Sequence, residues 1–277
     1  MRLSISNIAW DPAQDEDVCQ LLHKHSIDAI DIAPGKYFSE PDKASDRDIK
    51  VVREYWESRG ISLVGMQSLL FGTQGLNVFS ERSVQDKMLS HLTAISHIAA
   101  GLGITSLVFG SPKNRDRFEL SDEKTLSIAH DFFSRLGAIA LQEGVIICLE
   151  PNPECYGANF MTNSKETADV VKLINHPAIM MQLDTGAIAI NQENIEQVIK
   201  DNPSIIGHIH LSEPGLIPLG RGGVEHFKMA KELKKLFPNK IATIEMLMTH
   251  DEPSLMAIDE AISFATHHYQ SVSGVSE

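Results

Sequence analysis

The stretch VIICLEPNPE, residues 145–154, sets five apolar positions directly against a carboxylate. Val145, Ile146, Ile147, Cys148 and Leu149 have the β-branched, apolar character of a buried strand; Glu150 follows, and Pro151 stops further strand pairing. A charge at the end of a buried run needs a partner, and the rest of the chain is read with that requirement in view.

Outward from this stretch, short β-like runs recur, and each is followed by an amphipathic helical stretch. They are LSISNIAW (3–10), IDAIDIA (27–33), ISLVGMQ (61–67), TSLVFG (105–110), VIICLE (145–150), IMMQLD (179–184), IIGHIHL (205–211) and IATIEM (241–246). Helical segments between them have readable ends. KMLSHLTAISHIAAGLG stops at its glycines, TLSIAHDFFSRLGAIALQEG stops at Gly144, and Asn163 with Glu166 forms a capping box ahead of ETADVVKLI. NIEQVIKDNP, GVEHFKMAKELKKLF and SLMAIDEAISFATHHY complete the series. Eight βα units in 277 residues average about 35 residues each, which predicts a single (β/α)8 TIM barrel, an α/β fold with its active site at the C-terminal rim of the strands. The competing doubly wound sheet lacks its GxGxxG after an early strand. The barrel domain is placed at 1–270, and the small, polar residues 271–277 are expected to be a flexible tail.

With 43% hydrophobic residues the chain can bury an ample core. Its 37 acidic against 24 basic residues give a formal charge of −13, a field that repels nucleic-acid phosphates and argues against such a partner. Cys19, Cys148 and Cys155 are odd in number and show no CxxC, so neither a disulfide framework nor a zinc ribbon is indicated and a cytoplasmic location fits. The N-terminal residues lack a signal-peptide core, and no apolar run reaches the length of about 18 that spans a membrane.

In such a barrel the inward side chains at the strand ends converge on one pocket. Glu150 ends the fifth strand, Asp184 the sixth, His210 lies near the end of the seventh and Glu245 near the end of the eighth. Three ionised carboxylates and an imidazole cannot share a small site without a cation, because like charges in low dielectric force protonation. One divalent metal resolves this. Oxygen-rich ligation with one imidazole suits Mn²⁺ first, with Mg²⁺, Co²⁺ and Zn²⁺ as alternatives, and leaves positions for substrate oxygens. Taken singly, each of the four reads equally well as a solvated strand end; their occurrence on consecutive strands favours a site.

At CLEPNP, QLDTG, GHIHLSE and TIEML, and over nearly its whole length, the chain resembles the xylose isomerase-like TIM barrels, the sugar phosphate isomerase/epimerase superfamily. In ketose 3-epimerases of this group the four matching positions bind one divalent metal, and the two glutamates exchange a proton from opposite faces of the substrate. The resemblance therefore implies Glu150 and Glu245 as both ligands and acid/base groups, with Asp184 and His210 as ligands. It also implies a departure. Ala187 stands where many relatives place a histidine after Asp-Thr, which counts against the endonuclease IV branch and leaves substrate orientation open. The additional glutamate some epimerases carry after the strand-five ligand has no match, Tyr156 standing six residues beyond Glu150.

Further rim residues complete the expectations. Lys113, Arg115 and Arg117 follow the fourth strand and read either as a clamp for a substrate phosphate or carboxylate, with Arg115 first, or as a solvated loop balancing nearby acids. His208 shares a strand face with His210 one layer deeper and reads more readily as a satisfied core histidine than as a substrate group. Glu213 and Arg221 occupy the glycine-rich strand-seven loop, where Arg221 resembles a family substrate arginine and the glycines permit a lid. Gln67 ends the third strand within reach of a sugar hydroxyl, and Trp10 reads as an aromatic wall or as packing. The expected activity is a metal-dependent isomerase or epimerase of a small sugar or sugar phosphate, acting by proton transfer next to a carbonyl through an enediolate. The alternatives are an inosose-type dehydratase on the same scaffold, an endonuclease IV-like nuclease and a non-catalytic sugar-binding barrel. No membrane or nucleic-acid partner is expected, and a homo-oligomer is open.

Overall fold

The structure, a computed structural model, describes residues 1–270; the expected tail at 271–277 lies outside the described residues. Eight parallel strands close into a barrel: β1 Arg2–Ser6, β2 Ala29–Ile32, β3 Ser62–Met66, β4 Ser106–Phe109, β5 Ile146–Leu149, β6 Ile179–Asp184, β7 Ile206–Ser212 and β8 Ile241–Glu245. β1 pairs with both β2 and β8, so no edge remains in the sheet. Around it run α1 Asp15–Lys24, α2 Asp46–Glu57, α3 Arg82–Leu102, α4 Asp122–Glu143, α5 Ser164–Ile174, α6 Thr185–Ile190, α7 Ile195–Asp201, α8 His226–Leu236 and α9 Ser254–Tyr269. Among the described residues no helix is long and apolar enough to cross a membrane.

The glycine stops behave as the sequence requires. α3 ends on Gly103 and α4 on Gly144, both left-handed, a conformation glycine adopts without the Cβ penalty. At α5 only half of the expected box forms. Asn163 accepts from the Glu166 N–H at 2.9 Å, but the Glu166 carboxylate turns back to the Thr162 N–H (2.8 Å) and hydroxyl (3.0 Å). The first strand is shorter than its apolar run. Ser6 accepts from the Ile8 N–H, a 3-10 turn replaces residues 7–9, and the buried Asn7 side chain accepts from the Ala33 N–H at 2.7 Å, tying the ends of β1 and β2 together. Trp10 beyond this turn is fully buried and donates to Asp15 at 2.7 Å, so of its two readings it is packing.

The main core lies between sheet and helices, where Phe133 meets Phe109 and Phe132 edge to face with centroids 5.4 and 5.3 Å apart. Truncating such a residue to alanine costs about 3–5 kcal/mol. The barrel interior is partly polar: Ser4 and Thr243 share a hydrogen bond of 2.5 Å, and Asp31, Gln182 and His208 are buried. Interior space is tight. A Cβ on Gly207 would come 2.7 Å from Cys148 Sγ, which places that thiol as a packed apolar group; burial pushes its pKa up to about 12.

Candidate metal centre and substrate cavity

Parallel strands bring their C-terminal ends to one rim, and there Glu150, Asp184, His210 and Glu245, all buried, each present one donor atom within 4.8 Å of the others. His210 Nδ1 is the centre of the group, 3.3 Å from Glu150 Oε1 and 3.3 Å from Glu245 Oε2. Neighbours fix each carboxylate. Glu245 Oε1 accepts from the Gln67 side chain at 2.6 Å; Asp184 accepts from the Ala187 N–H and the Ser212 hydroxyl, each at 2.6 Å, and so caps α6. Asn152 donates to Glu150 Oε2 at 3.4 Å, while Glu150 Oε1, buried beside His210 Nδ1, makes no hydrogen bond among the described residues. Gly110 makes room for this carboxylate, since a Cβ there would fall 1.9 Å from Glu150 Oε2.

The electrostatics are those of a site short of positive charge. Burial, reinforced by the Glu245 and Glu150 carboxylates, pushes Asp184 up to about 7. Burial opposes a charge on His210, yet the Glu245, Asp31 and Glu150 carboxylates hold it well above the usual imidazole value. The His210 charge and the Gln67 amide in turn outweigh burial at Glu245 and hold it below the usual carboxylate range. Three carboxylates and one imidazole, with Asp184 raised and Glu150 Oε1 lacking a hydrogen bond among the described residues, form a donor set that fits one hard or borderline divalent ion.

Beneath His210 lies a residue that the sequence reading passed over. Asp31 on β2 sits with Oδ2 2.9 Å from His208 Nε2 and 3.7 Å from His210 Nε2, and these imidazoles overcome burial to hold it well below the usual carboxylate range. Its signal was a carboxylate inside the apolar run IDAIDIA. Asp31 is an ion-pair partner of His208, and at 3.7 Å its action on His210 is electrostatic, favouring the charged imidazole.

A cavity of about 740 Å³ opens over Glu150, Asp184 and Glu245, with His210 buried behind them; Gln67 and Lys113 line it, as do Lys36, Asn152 and Tyr156, for which the sequence gives no such expectation. Four expected substrate residues lie elsewhere. Arg115 is fully buried outside the lining, its guanidinium has no hydrogen-bond partner among the described residues, and burial, opposed by Glu150 and Glu166, pushes it down to about 10. His208 faces Asp31 and a separate cavity of about 150 Å³ lined by Val64, Thr105 and Lys240. Glu213 accepts from the Gly220 N–H (2.8 Å) and the Val224 N–H (3.1 Å) and meets His226 Nε2 at 3.1 Å, so it clasps its own loop. Arg221 is exposed and paired with Glu252 and Glu260, which turns it away from the cavity. In each case a nearer acid, amide or apolar shell claims the side chain.

Similar folds are known. The chain superimposes on D-psicose 3-epimerase from Clostridium cellulolyticum with a TM-score of 0.80 at 17% identity, covering 98% of this chain and 100% of that one. It superimposes on 3-keto-D-glucoside 4-epimerase from E. coli with a TM-score of 0.80 at 14% identity, covering 96% and 99%. With IolI protein, a structure that holds a zinc atom, the TM-score is 0.74 at 17% identity, covering 97% and 98%. No curated protein sequence matches the chain. The sequence model of the xylose isomerase-like TIM barrels matches residues 19–266, and the chain belongs to that family.

Proposed function

We propose that this chain is a divalent-metal-dependent epimerase or isomerase of a keto sugar, moving a proton at the carbon next to the carbonyl. The observation that carries this is the convergence of Glu150 and Glu245, from β5 and β8, on His210 Nδ1 at 3.3 Å each, with both glutamates lining one cavity. The names of the similar structures, psicose and 3-keto-glucoside epimerases among them, point the same way.

Glu150, Asp184, His210 and Glu245 would hold the ion, which supplies positive charge against the negative charge that develops on substrate oxygens during enolisation. Asp184 has both oxygens engaged by Ala187 and Ser212, which suits a fixed ligand rather than a mobile base. Glu150 and Glu245 are then the proton carriers, one removing the proton and the other returning it from the opposite face, which inverts the carbon. Gln67 holds Glu245 Oε1, leaving Oε2 toward His210 and the cavity. A single shuttling carboxylate would give isomerisation instead. The dehydratase alternative has no supporting observation.

The test is metal analysis of the purified protein together with NMR in D₂O over a panel of keto sugars. Bound divalent metal with deuterium entering next to a carbonyl supports the reading; a protein that takes up no metal after reconstitution overturns it.

A further inference from the structure

Polar groups are unevenly distributed with depth in the cavity. Its floor carries Glu150, Asp184 and Glu245, with Gln67 Oε1 and Asn152 Oδ1 buried beside them and without a hydrogen-bond partner among the described residues; several other lining polar groups are engaged by the protein itself. The Ser111 hydroxyl donates to Asn114, the Lys36 ammonium donates to the Trp10 carbonyl, and the Tyr156 hydroxyl accepts from the Gly215 N–H at 2.7 Å. Pro112, Pro153 and Leu216 supply apolar wall, and at the mouth stand Phe71, 81% exposed, and Leu247, 52% exposed. The Leu247 N–H donates to the Leu216 carbonyl at 2.8 Å, joining these two residues into one surface.

A sugar ring near the floor can use Gln67 Oε1, Asn152 Oδ1 and the Lys113 ammonium, but hydroxyls set against Pro112, Pro153 and Leu216 would meet apolar side chains and lose hydrogen bonds to water. A phosphate finds no fork either: Arg115 lies outside the lining, Arg117 is on Asp122 at 2.5 Å and Arg221 is on Glu252 and Glu260. Lys113 is the lining cation without a side-chain partner among the described residues, a point charge at an exposed position. The volume, about 740 Å³, exceeds what one monosaccharide needs and lies in the range of about 300–1,000 Å³ that holds ligands of several rings.

We infer that the substrate is a keto sugar bearing an apolar aglycone, aryl or alkyl, with its sugar ring on the carboxylate floor and its aglycone against Phe71, Leu216 and Leu247. The direction in which the sugar points rests on the proposed function; the apolar subsite does not. Large exposed apolar side chains around a polar-floored cavity are the expected anchor for such a group.

The test reads binding without turnover. Metal-loaded full-length protein is titrated calorimetrically with phenyl, hexyl and methyl glycosides of the gluco, galacto and manno series, and with glucose 6-phosphate; saturation-transfer NMR reads which ligand protons touch protein. The phenyl or hexyl compound is expected to bind at least about tenfold tighter than its methyl partner, with saturation strongest on the aglycone. In the double variant Phe71→Ala, Leu247→Ser that ratio is expected to fall toward one. Equal affinities, no binding by any glycoside, an unchanged ratio in the double variant, or tighter binding of glucose 6-phosphate would each overturn the inference. Aglycone preference without deuterium exchange in any keto sugar would retire the epimerase reading and leave the subsite standing.

Discussion

Gln67 and Glu245 stand 178 residues apart in the chain and are joined by a 2.6 Å hydrogen bond at the floor of the cavity. The amide fixes the carboxylate without adding charge, so the two residues should separate in their effects. Glu245→Gln is expected to lower the deuterium-exchange rate by about 10²–10⁴, the usual worth of a positioned acid/base. Gln67→Ala leaves the carboxylate and is expected to lower kcat by about tenfold to a hundredfold, equivalent to the 1.5–3 kcal/mol of a hydrogen bond to a charged group. Exchange undiminished in Glu245→Gln would remove it as a proton carrier.

Asp184 gives the pH dependence. In the metal-free protein its pKa rises from 3.8 to about 7, so its proton favours the folded state at acid pH and that contribution is lost as pH rises through about 7. A metal must displace the same proton. The rise in Tm produced by Mn²⁺ should therefore be larger near pH 8 than near pH 5.5, and Asp184→Ala should bind metal far more weakly at both, by about 10–100-fold or more. A shift independent of pH would place the metal elsewhere.

Gly110→Ala should act on the metal site without touching a ligand. The new Cβ would lie 1.9 Å from Glu150 Oε2, so the carboxylate must move. Metal affinity measured by chelator competition is expected to fall at least about tenfold while the far-UV circular dichroism is retained, since loss of a fixed ligand geometry acts on affinity first. Wild-type affinity in this variant would show that the Glu150 position is not critical.

Glu213 is expected to contribute stability rather than turnover. Burial opposes its charge, but His226 and the Val224 and Gly220 amides outweigh this and hold its pKa below 4.5. Its contribution is thus complete above about 4.5 and lost as pH falls through the lower folded value. Glu213→Ala leaves two amides without their acceptor and should cost about 1–3 kcal/mol by urea unfolding at neutral pH. The difference from wild type should narrow in acid. A widening gap there would contradict the assignment.

Much of this protein was legible in the residues. The eight strand-like runs gave the barrel because a parallel strand buried on both faces must be short and apolar, and Gly103 and Gly144 marked helix ends because few other residues tolerate the left-handed conformation. The convergence of Glu150, Asp184, His210 and Glu245 followed from their place at strand ends, since the barrel carries every such end to one rim. Long polar side chains on loops were another matter. Nothing local tells whether Arg221 meets substrate or Glu252 and Glu260, whether Arg115 reaches the cavity or is swallowed behind it, or that Glu213 turns back onto its own loop. Strand-end positions are fixed by backbone geometry alone, and so the sequence by itself determined the barrel and the cluster. The partners of flexible side chains depend on which distant groups the closed fold brings within hydrogen-bond reach, and so the tertiary structure alone decided which groups Asp31 and Gln67 meet and which apolar residues line the cavity.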